Sequence, residues 1–188
     1  MIYQERGDYE AALKHYEQAR KISEELGDRA GVAASLHNIG TIHQARGDYG
    51  AALQHYEQAL KILEELGNRA GVARSLHQIG NIHGERGNYG AALQHYEQSL
   101  KIAEELGDRA AIAASRSQIG QVLTQLGRYP EAFEHLLFAG LTFVDLQSPN
   151  AKIAAGDLKA LRAKWGAKEF DAAWQQATGA AVPEELKT

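Results

Sequence analysis

The chain has 188 residues, a formal net charge of −4 and no cysteine. The missing cysteine excludes disulfides, thiolate metal sites and thiol catalysis, and mixed charge with a pI near 6.1 lacks the basic footprint of a nucleic-acid binder. No run of about 18 apolar residues offers a membrane helix and no charged-then-apolar leader opens the chain, so the expected location is cytoplasmic.

Residues 1–27 begin in the middle of a pattern. "MIYQERGDY" aligns with "TIHQARGDY" at 41–49 and with "NIHGERGNY" at 81–89. "YEAALKHYEQ" at 9–18 returns as "YGAALQHYEQ" at 49–58 and again at 89–98, an interval of forty. Met1–Arg6 therefore read as the last turn of a first helix, and residues 9–26 as the second helix of a partial unit. With most of its partner missing, that helix is expected to show Ala12, Tyr16, Ala19 and Ile22 to water. This N-terminal edge is a candidate for self-association, because terminal repeats need a polar outer face.

Residues 28–67 and 68–107 are complete units that differ at only nine positions: 28/68, 34/74, 38/78, 41/81, 44/84, 45/85, 48/88, 59/99 and 63/103. Each reads as two helices. Val32, Leu36, Ile39 and His43 share one face of the first helix, and Ala52, Tyr56, Ala59, Leu63 and Leu66 one face of the second. Asp28 is a cap at the start, and Gly47 and Gly67 are stops. The connector is only Gly47-Asp48, so the helices must fold back as an antiparallel hairpin. Gly40 and Ala52 are small where the helices cross.

Residues 108–147 form a looser third unit, with Arg116 in place of Leu36 and Leu76. Residues 148–188 change character: all four Phe and both Trp lie beyond residue 130. Ser148-Pro149 breaks the preceding helix and Asn150 is positioned to cap the next. Helices are expected over about 150–165 and 168–178, sealing the array through Trp165, Phe170 and Trp174. A frayed end is expected over 179–188.

Leu36, Ile39-Gly40, His43, Ala52 and Tyr56, with Leu76, Ile79-Gly80, His83, Ala92 and Tyr96, resemble the tetratricopeptide repeat pattern. The closing proline is absent, and Glu64 and Glu104 stand in its place. The forty-residue unit resembles the long-helix variants of kinesin light chains, mitotic-spindle adaptors and bacterial peptide-sensing regulators. The resemblance implies an all-α fold, a right-handed superhelical solenoid of antiparallel helix hairpins. One hairpin cannot bury its own apolar face, whereas stacked hairpins share a continuous core. "DLKALRAKWGAKEFDAAW" resembles tails that follow such repeats in bacterial STAND-class signalling ATPases.

The chemical signals fall to packing. The eight histidines recur with the repeat, and equivalent atoms on adjacent hairpins stand about 10 Å apart, too far for one zinc ion. Paired glutamates such as Glu64-Glu65 do not face each other on a helix. No Ser, His and Asp are ordered as nucleophile, base and orienter. No cofactor, no metal and no catalysis are expected.

In the resembled family the first helices line a concave wall. The matching residues are His37, Asn38, Thr41, Gln44, Arg74, His77, Gln78, Asn81, Glu85, Ser117, Gln121 and Gln125. Four of the nine substitutions, at 34/74, 41/81, 44/84 and 45/85, fall on this wall. The resemblance implies a scaffold that binds a protein or peptide, without nucleic acid or membrane. A sensor segment of a larger STAND-type ATPase is the alternative, and a metal-binding or enzymatic protein is the rival reading from another class.

Overall fold

The computed structural model describes residues 9–187, and every regular element in them is helical. The expected turn at Met1–Arg6 lies outside the described residues. The chain separates into two compact units, 1–88 and 89–188. The N-terminal unit holds α1 (Tyr9–Glu25), α2 (Arg29–Ala45), α3 (Tyr49–Glu65) and α4 (Arg69–Glu85). The C-terminal unit holds α5 (Tyr89–Leu106), α6 (Arg109–Gln125), α7 (Tyr129–Asp145), α8 (Asn150–Trp165) and α9 (Ala167–Thr178), then a 3-10 turn at Glu184–Leu186.

A two-residue device makes the turns. Gly47 takes the left-handed conformation with φ 77°, which an L side chain enters only at a cost. The N–H of Asp48 then donates to the His43 carbonyl at 2.9 Å, closing the end of α2. The Asp48 carboxylate accepts from the Ala51 N–H at 3.2 Å, capping α3. One residue thus finishes one helix and starts the next. Asp28, Asn68 and Asp108 repeat it, capping Gly31, Gly71 and both Ala110 and Ala111.

In the N-terminal unit α2 and α3 form an antiparallel hairpin, with α1 packed on α2 and α4 on α3. Tyr56 is fully buried with Ala52, Ile79 and Ile82. Its ring lies so close to Gly40 that a Cβ there would stand 2.9 Å from the Tyr56 ring. Ala12 is buried, contrary to the expected water-facing stripe, because α1 lies along α2. Tyr16 is half-buried, while Ala19 and Ile22 are exposed, Ile22 by 49%.

In the C-terminal unit α6 and α7 form the hairpin, and Leu136 fills the slot that Tyr56 occupies in α3. Arg116, the residue that breaks the leucine pattern, extends to the surface. Its guanidinium lies 4.3 Å over the Phe138 ring and 3.4 Å from Glu104. The turn into α8 copies the earlier ones without glycine: Gln147 has φ 51°, and the Ser148 N–H donates to the Phe143 carbonyl at 2.9 Å. Ser148, not Asn150, provides the cap, accepting from the Asn150 N–H at 3.2 Å.

Helices α8 and α9 bend back at Gly166 and close around Phe133, Phe170 and Trp174. Phe133 meets Phe170 edge-on at 5.3 Å between centroids, and Phe170 stacks on Trp174 at 6.0 Å. Residues 180–187 are not frayed as expected. Val182 and Leu186 are buried in this aromatic cluster, and the apolar area they remove from water holds the segment in place.

Candidate binding faces on the first helices

Positions His37 to Gln44 of α2 and Arg74 to Glu85 of α4 lie on helices joined by a side-chain bond. Gln44 Nε2 donates to Glu85 Oε1 at 3.0 Å. The bond needs a glutamine from one copy and a glutamate from the next, where the opposite copies carry Gly84 and Ala45. Tyr56 donates from its buried hydroxyl to Gln44 Oε1 at 3.0 Å, and Thr41 Oγ1 stands 3.1 Å from that hydroxyl. Core tyrosine and surface amide therefore form one network. Burial pushes the Tyr56 phenol up, and its bond to Thr41 partly offsets this.

The rest of the face divides into engaged and free groups. Asn81 Nδ2 donates to Gln78 Oε1 at 2.8 Å. His37 packs its ring 5.3 Å from that of Tyr56. Burial holds His37 below the usual imidazole range, and the Arg74 charge adds to this. Burial alone pushes His77 down to about 4, so both rings are neutral at pH 7. Asn38 is half-buried, and its amide makes no hydrogen bond among the described residues. Arg74 is exposed and has no carboxylate partner among them. Asn38 and Arg74 thus keep unused hydrogen-bonding capacity.

In the C-terminal unit the corresponding face is completed by α8. Gln121 Nε2 donates to Asp157 Oδ2 at 2.9 Å, and Ser117 donates to the same oxygen at 3.4 Å. Lys164 Nζ donates to Gln125 Oε1 at 2.8 Å. Gln121, Gln125, Asp157 and Lys164 border a cleft of about 180 Å³ between α6 and α8. Burial raises the Asp157 carboxyl, and its two donors partly offset this. Asp157 and Lys164 were not expected here, because 148–188 reads as a cap. Their spacing from Ser117 and Gln125, at 40 and 39 residues, is the overlooked signal.

No three His, Cys, Asp or Glu among the described residues are placed to hold a metal ion, and no described helix is long and apolar enough to cross a membrane. What both faces offer is amide, hydroxyl and charged side chains for hydrogen bonding.

Several solved structures share the fold. The apo form of RapI superposes with a TM-score of 0.82 over 93% of this chain at 21% identity. This chain spans 63% of the RapI chain. A putative kinesin light chain from Podosopora anserina with nearly identical TPR-like repeats gives 0.72 at 19% identity, covering 95% of this chain and 89% of that one. A STAND protein with a tetratricopeptide repeat sensor, from Pyrococcus horikoshii, gives 0.78 at 19% identity, covering 95% of this chain and 29% of that one. These similarities establish an all-α solenoid of antiparallel helix hairpins. A comparison with curated protein sequences finds no match. The tetratricopeptide repeat model matches residues 1–65 and 68–137, and the chain belongs to the tetratricopeptide repeat family.

Proposed function

We propose that the first-helix face of α2 and α4 binds an extended or helical peptide, mainly through hydrogen bonds to its main chain. One observation carries this reading. Asn38 and Arg74 have unused hydrogen-bonding capacity on a face otherwise ordered by internal bonds, and the near-identical copies diverge there while their cores hardly change. A preordered face loses little side-chain entropy on binding. Neutral His37 and His77 keep the face from selecting a strongly acidic ligand. The face of Ser117, Gln121 and Gln125 in the C-terminal unit, with Asp157 and Lys164, is proposed as a second polar contact surface.

The test is a selection from a displayed random peptide library, followed by measured affinities. Arg74→Ala with Asn38→Ala should weaken selected peptides by about 1–3 kcal/mol, as for lost polar anchors in a desolvated contact. Unchanged affinity in the double variant refutes the site.

A second reading is supported by the similarity to the STAND protein with a repeat sensor, of which this chain spans 29%. In it, the chain is the sensor portion of a larger signalling ATPase, and peptide occupancy is what it senses. Fusion to an ATPase region would then make hydrolysis depend on the selected peptide, and hydrolysis indifferent to peptide would dismiss it.

A further inference from the structure

The repeats provide an internal control for the outer side of α7. In α3 the positions Glu57, Gln58, Lys61 and Glu64 are polar, and in α5 the same positions are Glu97, Gln98, Lys101 and Glu104. In α7 all four become apolar: Leu137, Phe138, Leu141 and Val144. The core takes up only Leu137, which packs against it, and does not require the other three changes. The inward side of α7 already buries Ala132, Phe133, Leu136, Ala139 and Phe143. Phe138, Leu141 and Val144 remain 42%, 58% and 64% exposed. A contiguous apolar stripe where sister helices are charged marks an interaction surface.

We propose that this stripe is a self-association surface, on which a second copy of the chain lays its own α7 antiparallel, with the two-fold axis at Leu141. The stripe is symmetric about that residue, with Phe138 three before it and Val144 three after. Antiparallel pairing therefore sets each aromatic ring against the smaller valine of the other copy, and leucine against leucine. This is the self-complementarity an isologous contact requires.

The charges at the ends agree. Arg116 lies over Phe138 with Glu104 at 3.4 Å, and Asp145 follows Val144, paired with Arg109. Antiparallel pairing brings the Arg116 end of one copy to the Asp145 end of the other. Seven residues from the axis, Glu134 faces the neutral Ser148. A parallel arrangement would instead set Phe138 against Phe138 and Val144 against Val144, losing the match of large to small. Two crossing helices bury well under the roughly 800 Å² per partner of a standard interface, so the dimer is weak and its population depends on concentration.

Sedimentation of the full chain from about 1 to 500 μM reads this directly. The mass should rise from 20.5 kDa towards about twice that value. Leu141→Lys, which installs the residue of the sister helices, should stay monomeric with unchanged helicity and melting. Ile22→Glu should associate like the parent. Because the chain has no cysteine, Leu141→Cys should oxidise to a disulfide-linked dimer. Phe138→Cys should cross-link to Val144→Cys in a mixed sample rather than to itself. A parent that remains monomeric at every concentration overturns the proposal and leaves the stripe to another protein. So does association that survives Leu141→Lys or is abolished by Ile22→Glu, which would transfer the contact to α1. Preferred Phe138→Cys self-cross-linking refutes the antiparallel arrangement.

Discussion

At the scale of single residues, the hairpins are set by which side chain is missing as much as by which is present. Gly40 admits the Tyr56 ring, and Gly120 admits Leu136, whose Cγ would lie 2.6 Å from an added Cβ. Tyr56 cannot retreat easily, since its ring is fully buried and its hydroxyl is engaged. Gly40→Ala should therefore destabilise the protein by about 1–3 kcal/mol, the usual cost of overpacking, as read by denaturant unfolding. It should also disturb Gln44 through the shared network. A neutral substitution would mean that the α2–α3 crossing can open without penalty.

His77 is the second residue with a stated consequence. Its folded pKa of about 4 lies below the ordinary value of 6.5. The unfolded chain therefore binds the proton first as pH falls. Stability from keeping this ring neutral is complete above about pH 6.5 and declines as pH drops towards 4, by about 2 kcal/mol at pH 5. His77→Gln should flatten the fall in melting temperature between pH 7 and pH 5 relative to the parent. An equally steep fall in the variant would show that other groups dominate acid sensitivity.

At the scale of elements, the turns and the tail separate what the sequence displays from what it hides. Gly47-Asp48 and its repeats announce both the stop and the next cap, because each needs a particular residue type. The turn into α8 uses Gln147 and Ser148 for the same geometry, and no glycine advertises it. A left-handed non-glycine residue carries strain of roughly 1 kcal/mol, so Gln147→Gly should stabilise the protein by up to about that amount. Equal or lower stability in an equilibrium melt would show that the strain is relieved elsewhere.

The end of the chain was hidden for another reason. Val182 and Leu186 are isolated large aliphatics in a short segment with no helical or strand period, and only the tertiary position of Phe133, Phe170 and Trp174 gives them something to cover. Ending the chain after Gly179 removes both. The loss should be about 3–6 kcal/mol by burial of two aliphatic side chains, with increased dye binding at the uncovered ring cluster. A truncated chain that melts like the parent would show the segment to be ornamental.

At the scale of the whole molecule, the all-α hairpin repeat was legible because periodicity at forty residues repeats every packing decision. The binding face was legible only in outline. Position within the unit located His37, Arg74 and Asn81 on the first helices, but not which groups are tied up internally. That depends on which side chains meet in three dimensions: Gln44 reaches Glu85 on the next first helix, Gln78 is taken up by Asn81 one turn along its own helix, and Asn38 finds no partner among the described residues. Asp157 escaped notice because its partners lie a full repeat away.

The central claim is that peptide recognition belongs to the first-helix face, with the outer side of the second helices free of it. Hydrogen exchange of the full chain with and without a selected peptide tests this most directly. The account predicts added protection in 34–45 and 74–85, with 138–144 unchanged by peptide at fixed protein concentration. Protection centred on 138–144, with 34–45 and 74–85 unaffected, would contradict it.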